Sequence, residues 1–132
     1  MSPELIAISE RIRDHLTKQK EQSMGSYGEE NEGGCMYRGL NGLMCAVGCL
    51  IKDEEYDWLM EGSPATGFIV MKAVSNSLGV EMSPGLEEVC SRWQAYHDGH
   101  CSSSADLVYH AWVDGNEAHS PDAFHNFLLG LL

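Results

Sequence analysis

All four prolines of this chain follow a serine, at Ser2-Pro3, Ser63-Pro64, Ser83-Pro84 and Ser120-Pro121. A serine hydroxyl accepts a hydrogen bond from a free N–H of a first helical turn. Proline suits the next position, where its missing N–H has no use. Acidic residues come soon after at Glu4, at Glu87 with Glu88, and at Asp122, where they complement the positive end of the helix dipole. Three of the pairs therefore mark helix starts, while the Ser63 pair is weaker because Thr66-Gly67 interrupts the residues after it. A chain punctuated in this way is expected to fold as a series of short helices.

Apolar spacing supports that reading. Leu5, Ile8, Ile12 and Leu16 recur at steps of three and four and predict a helix from Pro3 to Lys20. Phe68, Met71, Val74 and Leu78 predict another, closed by Gly79, and Leu86, Val89, Trp93 and Tyr96 a third, closed near Gly99. Ser104 is expected to cap a short helix holding Leu107, Val108, Ala111 and Trp112, which ends at Asp114-Gly115-Asn116. Pro121 starts the last, with Phe124, Phe127, Leu128, Leu131 and Leu132. Asp53 is expected to cap a short helix through Tyr56, Trp58 and Leu59 that ends at Gly62.

The segment Leu43–Ile51 is apolar almost throughout, so periodicity does not separate buried helix from buried strand. The absence of β-branching at Leu43, Met44, Cys45 and Ala46 favours helix. Gly39-Leu40-Asn41-Gly42 has turn composition, and Cys35–Arg38 reads as a short strand. The resulting fold class is mainly α: one domain over 1–132, a bundle of about six or seven short helices with room for a small β-hairpin near 35–47. Residues 21–34, with four glycines and four glutamates, read as an acidic flexible loop.

Charge narrows the partners. The formal net charge is −12, and it is unevenly spread: residues 1–20 hold four basic and three acidic side chains, the remainder four basic and seventeen acidic. No Lys or Arg follows Arg92. Such a surface repels nucleic-acid phosphates and anionic lipid heads and favours a basic partner; the simpler reading is solubility. No apolar run approaches the roughly 20 residues of a membrane span. The first twenty residues, broken by Arg11, Arg13, Lys18 and Lys20, hold no apolar signal-peptide core. A cytoplasmic location with reduced thiols is expected, and five cysteines without a regular framework argue against a disulfide scaffold.

Candidate chemistry is sparse. Cys45 and Cys49, four apart, together with His97, His100 and Cys101 could supply zinc ligands, but no Cys-x-x-Cys pair is present. The alternative is that Cys45, Cys49 and Cys90 are small core residues. A thiol nucleophile would need a histidine base in an electropositive setting, and this chain is acidic. Asp53, Glu54 and Glu55 read as a solvated helix start rather than acid–base catalysts, and no Walker lysine follows the glycines of 25–34. Arg38, the only Lys or Arg between Lys20 and Lys52, offers a planar fork to an anionic ligand or partner; the alternative is an ion pair with Glu54, Glu55 or Glu61. Tyr37, Trp58, Trp93 and Trp112 are the aromatic candidates for interface anchors. No catalytic set and no cofactor are expected.

The run Cys35–Ile51, with Asp53-Glu54-Glu55-Tyr56 and Glu61-Gly62, resembles a group of short, largely uncharacterised bacteriophage and prophage proteins. Their shared pattern is Cys-x-Tyr-Arg-Gly, then Gly-x-x-Cys-Ala-Val-Gly-Cys-Leu-Ile, then Asp-x-x-Tyr and Glu-Gly. The resemblance implies a phage accessory protein in the bacterial host cytoplasm and brings no catalytic residues with it. The expected function is non-enzymatic: binding a host protein with a basic surface, and inhibiting or redirecting it in takeover or counter-defence. Direct nucleic-acid or membrane binding is not expected. The alternatives are sequestration of a small signalling nucleotide by Arg38 and the aromatics, and a small zinc-binding domain. The apolar end Phe127-Leu128-Leu129-Gly130-Leu131-Leu132 either docks as a core helix or makes a homodimer through 124–132.

Overall fold

Three of the Ser-Pro pairs cap helices. Ser2, Ser83 and Ser120 accept from the N–H groups of Leu5, Leu86 and Ala123. A computed structural model describes residues 1–24, 36–99 and 107–132. Within them lie five α-helices: α1 (Pro3–Gln19), α2 (Phe68–Leu78), α3 (Pro84–Asp98), α4 (Tyr109–Val113) and α5 (Pro121–Leu131). Single 3₁₀ turns lie at Leu40–Gly42, Gly48–Leu50, Asp53–Glu55, Trp58–Met60 and Glu117–His119. The expected cap Ser104 and residues 25–34 of the expected acidic loop fall outside the described residues. No described helix is long and apolar enough to cross a membrane.

Helix ends obey the local signals. Gly79 and Gly99 close α2 and α3 in the left-handed conformation, at φ 69° and 81°. The Ser63 pair starts no helix; Gly67 caps α2 instead. The fourth helix is shorter than expected, because Leu107 and Val108 precede it.

Helix α1 packs against α5 and α3, and aromatic rings fill the space between them. Trp93 and Phe124 meet edge to face at 4.8 Å, while Tyr96 stacks on Phe124 at 4.6 Å. A buried polar chain crosses the same core: the Trp93 indole N–H donates to Ser9 Oγ (2.9 Å), which shares a hydrogen bond with His125 Nδ1 (2.7 Å). Tyr109 closes the end of α1, donating to the Leu16 carbonyl and accepting from the Glu21 N–H. The C-terminal helix docks on this core through Phe124 and Leu128, and leaves Leu129, Leu131 and Leu132 exposed.

The helix expected over Leu43–Ile51 is not formed. Met44 pairs with Arg38 in one antiparallel bridge across the Leu40–Gly42 turn, and one 3₁₀ turn comes after it at Gly48–Leu50. Among the described residues this bridge is the part of the small hairpin expected near 35–47 that is formed. The physical reason is burial on every side: Cys45, Ala46, Val47 and Leu50 are all fully buried, so no one-sided stripe selects a helix. The backbone N–H and C=O groups, which must be satisfied somewhere, are taken partly by short-range turns within the segment and partly by side chains of the surrounding helices. Gln19 of α1 brackets Met44, donating to its carbonyl and accepting from its N–H; Gln94 of α3 accepts from Val47; Ser77 of α2 accepts from Lys52. Gly48 lies so close to residue 37 that a Cβ there would overlap the Tyr37 carbonyl oxygen.

The single short helix expected from Asp53 is two separate 3₁₀ turns. Asp53 does not cap; its carboxylate pairs with Arg38 instead. Asp57 caps the second turn by accepting from the Leu59 N–H, and Gly62 ends it at φ 85°.

Candidate functional site

Glu61 is the centre of the irregular segment. Its Oε1 accepts from the Tyr37 N–H (2.9 Å), and its Oε2 accepts from the Arg38 N–H (3.0 Å) and the Tyr56 hydroxyl (2.6 Å). One carboxylate thereby holds residue 37, residue 38 and residue 56 in place. Charge-assisted bonds of this kind are stronger than neutral ones.

Arg38 is held within the chain rather than offered outward. Its guanidinium donates to Asp53 Oδ1 and to the Ile51 carbonyl, both at 2.6 Å, and stands over the Tyr56 ring at 5.0 Å. The partner is therefore Asp53, not the Glu54, Glu55 or Glu61 expected from the sequence; Glu61 takes only the Arg38 backbone. Asp53 itself is 91% exposed, so the pair positions the loop more than it stabilises the fold.

The candidate aromatic anchors separate into two groups. Tyr37, Trp93 and Trp112 are buried core residues. Tyr37 donates its hydroxyl proton to the Ser63 carbonyl, and burial pushes its ionisation well above the ordinary 10.0. Trp58 alone of the four stands outward, 72% exposed. Leu59 follows it at 59%, and Phe68 at 69% and Ile69 at 38% stand exposed at the start of α2. By spacing Phe68 belongs to a buried stripe, but the buried face of α2 runs through Val70, Met71, Ala73, Val74 and Ser77. As the first residue after the Gly67 cap, Phe68 points off the end of that face. The cap is the signal in the sequence that could have shown this.

The Trp58–Met60 turn and α2 enclose a groove of about 350 Å³. Its walls include Glu55, Asp57 and Met60 on one side and Phe68, Ile69 and Lys72 on the other. Met60 is buried and anchors the turn from below. The Lys72 ammonium lies 5.9 Å above the Phe68 ring.

The thiol and metal candidates among the described residues, Cys45, Cys49, Cys90 and His97, have other roles. Cys45 Sγ accepts from the Gly48 N–H, and the Cys49 thiol donates to the Ala46 carbonyl. Burial raises the Cys45 thiol well above its usual range and pushes Cys49 and Cys90 to about 12. Such thiols hold their protons and are poor nucleophiles. His97 Nε2 accepts from the Ser23 N–H, which places the ring proton on Nδ1, where it is donated to Asp98. Among the described residues no group of three or more His, Cys, Asp or Glu side chains could hold a metal ion; His100 and Cys101 lie outside those residues.

Comparison of the chain with family models, with curated proteins and with solved structures returns no match.

Proposed function

We propose that this chain is a phage-type accessory protein that binds a basic surface of a host protein and inhibits or redirects it, without catalysing a reaction itself. The observation that carries this reading is Trp58, an amphipathic aromatic presented to solvent on a tightly held turn of an acidic protein. Aromatic side chains of this kind dominate protein–protein contacts, and a fixed turn lowers the ordering cost of binding. The phage assignment rests on the string from Cys35 to Gly62. The nucleotide alternative loses its cationic anchor, since the Arg38 fork donates to Asp53 and Ile51.

The test is capture of host proteins by tagged chain at two salt concentrations, with Trp58→Ala as control. The expected result is a basic host protein retained at low salt, weakened at high salt, and lost with the variant. Retention that is indifferent to both salt and Trp58 would defeat the reading.

A further inference from the structure

The groove between the Trp58–Met60 turn and α2 has the features of a seat for a particular kind of segment. Phe68 and Ile69 stand exposed in the groove wall, and Trp58 and Leu59 stand exposed on the turn whose Met60 borders it. Monomeric proteins rarely leave large apolar side chains grouped about a groove without an interaction to use them. The surface is also pre-shaped. Asp57 caps the turn, buried Met60 pins it, and Glu61 ties its far end to Tyr37, Arg38 and Tyr56.

Charge selects among occupants. Glu55 and Asp57 line the groove, Glu54 is exposed beside them, and the whole chain carries −12. Lys72 is the opposing charge in the groove wall. An acidic segment would meet this field unfavourably, and a second copy of this chain would bring the same negative excess to the contact.

We infer that this groove binds a basic amphipathic helix of the partner protein, its apolar side on Trp58, Phe68 and Ile69 and its Lys or Arg residues toward Glu54, Glu55 and Asp57. This rests on the host-binding reading above and supplies the surface and the partner chemistry. Recognition of an amphipathic helix by an apolar groove uses anchors at helical spacing, with the charged rim setting orientation and association rate.

The probe is a synthetic amphipathic helix of Leu and Lys, lacking tryptophan, beside a scrambled peptide of the same composition. Trp93 and Trp112 are buried, so acrylamide quenching of the emission reports chiefly on Trp58. The amphipathic peptide should produce a saturable blue shift and protect Trp58 from acrylamide. The double variant Phe68→Ser/Ile69→Ser should weaken binding about tenfold or more. Lys72→Glu should tighten it about two- to fivefold by removing the opposing charge. Far-ultraviolet dichroism of each variant separates lost binding from lost folding.

Equal binding of the scrambled peptide with Trp58 emission unmoved overturns the groove while leaving an acidic protein-binding surface in place. No binding of either peptide overturns the groove and removes the support that charge lends to the basic-partner reading. Trp58 already shielded in the free protein, with a dimeric mass by sedimentation, identifies a second copy as the occupant and overturns the inference.

Discussion

The helical core and the segment 36–61 bury their chains by opposite means. Between α1, α3 and α5, rings and aliphatic side chains pack face to edge, with Trp93, Tyr96 and Phe124 at the centre. In the segment 36–61 side chains from three helices and from Glu61 bond to irregular backbone at residues 37, 38, 44, 47 and 52, through hydrogen bonds that are buried or half-buried. Packing is non-directional and scales with the area removed from water. Hydrogen bonds to a buried backbone are directional, and each lost partner leaves an unpaired group. The first region should respond to changes in volume and the second to changes in geometry or polarity.

The largest effect is expected in the first. Trp93→Ala removes the central ring and should cost roughly 3–5 kcal/mol, a fall in Tm on the order of 10–20 °C by thermal dichroism. A fall of only a few degrees would mean that the core does not centre on Trp93. In the second region the addition of one methyl group should suffice. Gly48→Ala sets a Cβ against the Tyr37 carbonyl and should cost about 1–3 kcal/mol or more. Gly130→Ala, on the open side of α5, meets nothing within 4 Å; it should stabilise by roughly 0.5–1 kcal/mol, since glycine in a helix carries an entropic penalty. Equal melting of the two alanine variants would remove the distinction between the regions.

Polarity is tested at Glu61. Glu61→Gln turns an acceptor into a donor facing N–H and O–H groups, and should cost about 1–3 kcal/mol. A shifted urea midpoint at constant slope is the expected readout; an unchanged midpoint would show that the carboxylate bonds add nothing.

Acid should weaken both regions through one histidine each. Burial lowers His125, in the helical core, and His15, which donates to the Met44 carbonyl, below their ordinary 6.5. Around His125, Arg13 also lowers the value while Glu10, Asp122 and Asp14 oppose it. Both folded values lie under the unfolded one, so the unfolded chain binds protons first. The contribution is fully present above the unfolded value of 6.5 and is lost as pH falls below it. Denaturant titrations from about pH 7.5 down to 5 should show falling stability; a flat profile would contradict it.

The smallest effect on the fold is expected at the groove. Trp58→Ala should change stability by no more than about 0.5 kcal/mol while abolishing partner capture. A large loss of stability would instead make Trp58 a structural residue.

The legible parts of the fold are those coded over a few residues. Ser2, Ser83 and Ser120 cap as their local sequence requires, because a hydroxyl reaches only the next turn. Gly79 and Gly99 stop helices for an equally local reason. At the candidate site, Arg38 and Trp58 stand out by residue type, but their roles diverge. Arg38 turns inward to Asp53 and Ile51, and Trp58 turns outward. Phe68 and Ile69 carry no such mark, since an apolar residue at helical spacing reads the same whether it ends in a core or over a groove.

By itself the sequence determined a mainly helical chain, the starts of α1, α3 and α5 and a strongly negative surface, because caps, periodicity and net charge are local or additive properties. Only the tertiary structure decided the path of residues 43–51, the partner of Arg38 and which tryptophan faces water. Those depend on side chains distant in sequence: Gln19, Ser77 and Gln94 on the backbone of the irregular segment, and Glu61 on residues 37 and 38. A buried backbone adopts whatever conformation its surroundings can satisfy, and those surroundings exist only once the helices have packed.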